Sequence, residues 1–140
     1  MRHILIGLLI LLEPNCKKKT SSDPTPGFNL FSEEDDLSLG AKVAAEIESD
    51  PSKYPILDST QYPQAYVHIY RLRDTILQTG RLTYAQKFPW RIRIIRDDST
   101  LNAFCAPGGY IYVYTGLIKY LRTEAQLIGV LGHEMAHADR

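Results

Sequence analysis

The feature that most constrains this chain is the pattern His-Glu-x-x-His at residues 133–137, on a predicted helix near the end of the sequence. Thr123 and Gln126 form a capping-box pattern, which predicts that this helix begins near Glu124. Two histidines four positions apart lie on one helical face, one turn above each other. The spacing therefore brings both imidazoles to the same side of a single helix.

This arrangement predicts a metal site. Imidazoles at that spacing are able to bind one tetrahedral Zn²⁺, with nitrogen–metal distances of about 2.0–2.1 Å. Glu134 follows the first histidine and lies beside the metal without occupying it, where its carboxylate is able to take a proton from metal-bound water. We therefore predict His133 and His137 as metal ligands and Glu134 as the catalytic base. The alternative is a surface helix on which the two histidines share a face by accident.

The spacing of apolar residues over the folded part, residues 32–140, predicts an α+β fold in which helices pack on a small β-sheet or hairpin. The predicted elements are a helix from Ser32 to about Asp50, a helix over about 64–78, strands at 90–96, 101–106 and 110–114, and a helical stretch from Leu117. Pro107-Gly108-Gly109 is predicted to be a tight connection with positive φ angles. The alternating tyrosines of the third strand are predicted to be half-buried.

Several residues invite a functional interpretation and are better explained by structure. His68 on the second helix is predicted to be a surface or packing residue. Gly129 and Gly132 interrupt the last helix at a cost of about 1 kcal/mol each. We expect another backbone to approach them closely, and a substrate backbone is one candidate. Cys105 is predicted to be a small, buried and unpaired thiol.

The first residues predict targeting rather than folding. Residues 1–15 are predicted to be a signal peptide, with a positive start and nine uninterrupted apolar residues at 4–12, too few for a membrane span of roughly 20 residues. Cys16 resembles the lipidated cysteine of bacterial lipoproteins, and residues 16–31 are predicted to be a flexible tether. The alternatives are a plain cleaved signal, and an uncleaved anchor or buried N-terminal strand.

Composition excludes several classes of protein. Sixteen basic residues balance sixteen acidic ones, so no net positive charge attracts nucleic acid, and we predict no nucleic-acid partner. Two cysteines are too few for a disulfide framework. A hydrophobic content of 44% with 23% charged residues is ordinary for a globular chain and argues against wholesale disorder.

The surroundings of the motif resemble a known family. The series Asn102-Ala103-Phe104, Pro107-Gly108-Gly109 and Val130-Leu131-Gly132-His133-Glu134 is similar to that of metallopeptidase family forty-eight, the HtpX, CAAX prenyl protease and Oma-like gluzincins. The resemblance implies a zincin-like fold, one Zn²⁺ per complete domain and metalloendopeptidase activity. It assigns zinc binding to the residues matching His133 and His137, and the role of base to the one matching Glu134.

The resemblance also implies the substrates and the location. Polypeptides are the expected partners, in particular misfolded or misassembled proteins of the bacterial cell envelope. An extended peptide is expected to add as a strand in a cleft lined by predicted substrate-binding residues. These residues are Asn102, Ala103, Phe104, Gly108 and Gly109. With an acylated Cys16, the chain is expected to be a membrane-anchored lipoprotein that faces the periplasm; its oligomeric state is not predicted.

The third zinc ligand is missing from the pattern. The family takes it from a Glu on a later helix, and Asp139 is no substitute because it is rotated about 200° around the helix from His137. We therefore expect the sequence to be the N-terminal part of a longer chain, with weak or absent zinc binding and little activity alone. The alternatives are a non-catalytic, chaperone-like or peptide-binding lipoprotein on the same scaffold, and a structural lipoprotein whose motif is accidental.

Overall fold

A computed structural model of the protein describes residues 32–140. Its elements are α1 (Glu33–Glu48), α2 (Pro63–Leu77), β1 (Arg91–Ile95), β2 (Ala103–Ala106), β3 (Tyr110–Tyr114), α3 (Thr115–Tyr120) and α4 (Glu124–Ala138). The predicted combination of helices with a small sheet is confirmed. The predicted signal segment 1–15 and the tether 16–31 with Cys16 lie outside the described residues. In the part that is described, none of the helices has the length and apolar character of a membrane span.

Both predicted helix starts are confirmed by their hydrogen bonds. The Ser32 hydroxyl accepts from the Asp35 backbone N–H at 3.1 Å, and the Asp35 carboxylate accepts in return from the Ser32 N–H. Thr123 and Gln126 make the same reciprocal pair at the start of α4. Each capping box satisfies donors that the first helical turn would leave unpaired. The capping box at Thr123 therefore fixes the residue at which α4 begins.

The three strands form one sheet in the order β1-β3-β2. β1 pairs with β3 in parallel, and β2 pairs with β3 antiparallel as the predicted hairpin. The outer edge of β1 is covered by the loop before α2, since the Leu57 N–H donates to the Ile94 carbonyl at 2.8 Å and the Arg96 N–H donates to the Pro55 carbonyl at 2.7 Å. Within residues 32–140 no further strand pairs with the outer edge of β2.

The β2–β3 connection takes the conformation that its glycines predict. Gly108 and Gly109 have φ angles of +72° and +81°, a region that side chains with a Cβ rarely adopt. Gly109 also lies against Phe88 and Trp90, where an added Cβ would come within 3.2 Å of the Trp90 ring and backbone. Trp90 itself, the residue before β1, has a φ of +44°, an uncommon conformation for a bulky residue.

The core lies between one face of the sheet and the helices α2 and α4. Its fully buried members include Ile69, Leu72, Ile92, Ile111, Val113, Leu131 and Met135. Each large apolar side chain buried in this way contributes about 2 kcal/mol to folding. The core therefore holds α4 through the apolar residues on the side opposite its histidines.

Two predictions need correction. Tyr112 is fully buried rather than half-buried, because its ring stacks on Phe104 at 5.0 Å between centroids and its hydroxyl donates to Glu48 at 3.2 Å. Among the described residues, no backbone approaches the glycines of α4. An added Cβ would meet nothing within 4 Å at Gly129, and only the Ile76 side chain, at 4.0 Å, at Gly132.

A matched pair of glycine substitutions tests this packing. An ideal Cβ at Gly40 in α1 would lie 1.9 Å from the Pro107 carbonyl oxygen, so we expect Gly40→Ala to lower the free energy of unfolding by about 1–3 kcal/mol. Gly129→Ala meets open space in a helix and should raise it by about 0.5–1 kcal/mol. Urea unfolding of both variants measures the difference. A Gly40→Ala variant as stable as the unsubstituted chain would contradict the packing of α1 on the β2–β3 connection.

Candidate metal centre

The predicted metal ligands lie on the solvent side of α4. The buried residues of this helix are Leu127, Leu131, Met135 and Ala138, which form one stripe against the sheet and α2. His133 and His137 lie on the opposite side, and both are exposed. Burial of the stripe therefore decides that the two imidazoles face outward, where a metal ion and a substrate have access.

The two imidazoles are close enough to share one ion. Their Nε2 atoms are 3.0 Å apart, and the rings stand edge to face with centroids 4.5 Å apart. Two nitrogens on a tetrahedral zinc at ordinary bond lengths are separated by about 3.3 Å. A small rotation of the rings brings His133 and His137 into that geometry, so their donor set fits two positions of a zinc ion.

A third protein ligand is not among the described residues. No group of three His, Cys, Asp or Glu side chains within residues 32–140 is arranged to hold a metal ion. Asp139 is turned away as predicted, and its two carboxylate oxygens accept from the backbone N–H groups of Thr83 and Tyr84, each at 2.7 Å. The sequence pattern gave no sign of these partners, which lie more than 50 positions earlier in the chain.

Glu134 is half-buried, and Cys105 of β2 is a half-buried neighbour. Burial raises the pKa of the Cys105 thiol, and the negative charge of Glu134 raises that pKa further. A thiol with a raised pKa stays protonated near neutral pH and is a poor nucleophile and a poor metal ligand. Cys105 is thus half-buried rather than buried as predicted, and it belongs to no group of three metal-binding side chains within residues 32–140.

A cleft of about 210 Å³ adjoins the last turn of α4. Its lining residues are Asp36, Cys105, Ala106, Pro107, His137, Ala138 and Arg140. Cys105 and Ala106 belong to β2, so the end of this edge strand lies next to the second histidine. The cleft is thus bounded by α4 on one side and by the strand with an open edge on the other.

The predicted substrate-binding residues fall into two groups. Asn102 is exposed, and Ala103 and Phe104 are half-buried, at the start of β2. Gly108 and Gly109 are buried, the first against α1 and the second against aromatic rings, so the structure does not support a substrate contact for them. Their position is explained by the tight connection that their positive φ angles allow.

His68 is separate from this site. It is exposed on α2, with Arg71 Nη2 at 3.2 Å from its Nδ1 and a Glu124 oxygen at 3.9 Å from its Nε2. Arg71 also makes two hydrogen bonds to the Glu124 carboxylate, at 3.2 and 2.5 Å, and lowers the pKa of that carboxyl group. These contacts join α2 to the first turn of α4, and the predicted surface role of His68 is confirmed.

Known proteins are similar to part of this chain. OMA1, a mitochondrial metalloendopeptidase, is 46% identical over 50 residues in Danio rerio, covering 36% of this chain and 10% of that protein. Its Arabidopsis thaliana counterpart is 34% identical over 56 residues, covering 40% and 11%. A putative beta-barrel assembly-enhancing protease of Vibrio cholerae is 39% identical over 51 residues, covering 36% and 10%.

The similarity to these proteins is local, since each match spans about a tenth of the relative's length. A broader match comes from the family model of peptidase family M48, which covers residues 69–140. This range is more than half of the chain, and it includes α4 and all three strands. The chain therefore belongs to peptidase family M48.

Proposed function

We propose that this chain carries part of the active site of a zinc-dependent metalloendopeptidase. The observation that carries the proposal is the exposed pair His133 and His137, whose Nε2 atoms lie 3.0 Å apart, with Glu134 between them on the helix. Membership of a peptidase family supports the same chemistry. Two accidental histidines at this spacing would lie equally close, so it is the match to a peptidase family that favours a metal site over that alternative.

The proposed roles follow from the chemistry of each side chain. His133 and His137 hold the metal through Nε2. Bound zinc supplies a Lewis acid that polarises a scissile carbonyl and acidifies water. The Glu134 carboxylate takes a proton from the attacking water and passes it to the nitrogen of the leaving amine. Glu134 is half-buried and adjoins His133 in the sequence, so we propose that its carboxylate lies beside the metal.

The open edge of β2 supports binding of an extended peptide. A peptide that adds to an edge strand makes main-chain hydrogen bonds, so it binds with little demand on its sequence. We propose that substrates pair with Asn102, Ala103 and Phe104 through their backbone and reach the cleft beside His137. The Phe104 side chain does not contribute, because it stacks on Tyr112, on the face of the sheet away from α4.

A catalytic zinc takes three protein ligands and keeps one position open. We infer that the third ligand comes from outside residues 32–140, and that the stretch described here has little activity without it. Misfolded or misassembled envelope proteins are the proposed substrates, and an acylated Cys16 is the proposed membrane anchor of a periplasm-facing lipoprotein. The name of the Vibrio cholerae relative, a putative assembly-enhancing protease, is compatible with such substrates.

Zinc binding by the 140-residue chain tests the metal site directly. We expect His133→Ala and His137→Ala each to weaken Zn²⁺ binding by more than about tenfold, because each removes half of the donor pair. His68→Ala removes an exposed histidine elsewhere and should leave the affinity unchanged. Equilibrium dialysis at several zinc concentrations measures all four proteins. Measurable binding that is equal in His133→Ala and the unsubstituted chain would contradict the site.

Replacing the proposed base separates an enzyme from a non-catalytic binding protein. In the full-length gene product, we expect Glu134→Gln to lower the rate of cleavage of an unfolded polypeptide by about 10²–10⁴-fold, since the amide accepts no proton. Zinc content and peptide affinity should stay the same, because the ligands and the β2 edge are untouched. Cleavage at an unchanged rate would refute the role of Glu134. Peptide binding without any cleavage by the unsubstituted protein would favour the chaperone-like alternative.

A further inference from the structure

The C-terminal end of α4 carries an acidic residue where helix electrostatics disfavours one. Asp139 is the C-cap residue, and its own N–H donates to the Met135 carbonyl at 3.1 Å. A helix C-terminus has a partial negative charge, so a carboxylate there is unfavourable unless it finds donors. The two donors that it finds lie on another segment of the chain, which indicates that Asp139 holds two parts of the fold together.

Those donors are the backbone N–H groups of Thr83 and Tyr84, each 2.7 Å from a different oxygen of Asp139. Thr83 and Tyr84 are the first residues of a turn over residues 83–88. In this turn the Lys87 and Phe88 N–H groups donate to the Tyr84 carbonyl at 2.9 and 3.0 Å. Hydrogen bonds from neutral N–H groups to an ionised carboxylate are stronger than those to a neutral acceptor. The carboxylate thus ties the last turn of α4 to the 83–88 turn at two points.

The 83–88 turn is itself fixed to the sheet. The Tyr84 ring stacks on Phe88 with centroids 4.6 Å apart, and the Tyr84 carbonyl accepts from the Trp90 indole N–H at 3.2 Å. Trp90 is fully buried and directly precedes β1, where the Arg91 N–H donates to the Gly109 carbonyl at 2.8 Å. Asp139 therefore bonds to a turn that is itself attached to the sheet. These bonds fix the end of the helix relative to the sheet.

His137 is the candidate metal ligand whose position depends on the C-terminal end of α4. It lies in the last turn of α4, which ends at Ala138, whereas His133 lies one turn further inside. The last turn of a helix frays because its carbonyl groups have no intrahelical partners. We propose that Asp139 is a positioning residue, which holds His137 beside His133 by fastening the last turn of α4 to the 83–88 turn. Its effect on metal binding rests on the proposed function; the fastening itself rests on the hydrogen bonds alone.

Hydrogen exchange in the unsubstituted chain gives the first test. The N–H groups of Thr83 and Tyr84 lie outside any helix or strand, and Asp139 is the acceptor that the structure gives them. We expect both amides to exchange at least about a hundredfold more slowly than in an unstructured peptide. Exchange at the unstructured rate would overturn the proposal without the need for any variant.

The second test compares Asp139→Asn with Glu124→Gln, measured by NMR of the histidine side chains during titration with Zn²⁺. The asparagine side chain has nearly the same shape as the aspartate. It keeps only one oxygen acceptor, however, and places its NH₂ donor against the second backbone N–H. The control removes the same charge from the opposite end of the same helix, about 20 Å from His137. We expect Asp139→Asn to raise the dissociation constant for Zn²⁺ about tenfold and the control to change it less than twofold.

The histidine resonances separate positioning from a general loss of stability. At a temperature where both variants are folded, Asp139→Asn should broaden or shift the imidazole signals of His137 more than those of His133, whose ring is in contact with it. Unchanged affinity together with unchanged His137 signals would overturn the proposal. If the unsubstituted chain binds no zinc, the two histidines do not hold the ion without a third ligand. The fastening is then judged by the exchange of Thr83 and Tyr84 and by the His137 signals.

Discussion

The burial of one stripe of α4 is the interaction on which the rest of the structure depends. Leu131 and Met135 are fully buried against the sheet and α2, and helical geometry then leaves His133 and His137 on the opposite side. The stripe therefore supports the fold and orients the candidate metal ligands at the same time. A rotation of this helix by one residue, about 100°, would expose the stripe and turn the histidines toward the sheet.

The two ends of α4 are held by different means. At its first turn, Arg71 of α2 bonds to Glu124 at the surface, and such exposed ion pairs contribute little to stability because water and salt screen them. At its last turn, the Asp139 carboxylate accepts two backbone N–H groups from a turn that is fixed to the sheet. The stronger attachment is thus at the end that carries His137, the end at which a helix otherwise frays.

The sheet is able to bind a substrate because one of its edges is covered and the other is unpaired. The edge of β1 is occupied by the Pro55–Leu57 segment, while within residues 32–140 no strand pairs with the outer edge of β2. An unpaired edge strand is a template for another extended chain. Here it lies beside the cleft that His137 lines. This geometry explains why a small, three-stranded sheet is sufficient to support the proposed peptide binding.

Local patterns predicted most of the elements, because they depend on neighbours in the sequence. Ser32 as an N-cap residue and the capping box at Thr123 marked the helix starts, and the Pro107-Gly108-Gly109 turn marked the hairpin. Errors occurred where a distant residue decides the outcome. Burial of Tyr112 depends on Glu48 and Phe104, and the open space around Gly129 could not be foreseen from helix propensity.

The sequence by itself determined the candidate metal-binding pattern, since four-residue spacing on a capped helix brings two imidazoles to one face whatever surrounds them. It also determined that Asp139 lies on another side of that helix. Only the tertiary structure decided what Asp139 bonds to, which edge of the sheet is open and which glycines are buried. Those properties arise from contacts between segments far apart in the chain, and no local pattern of residues encodes them.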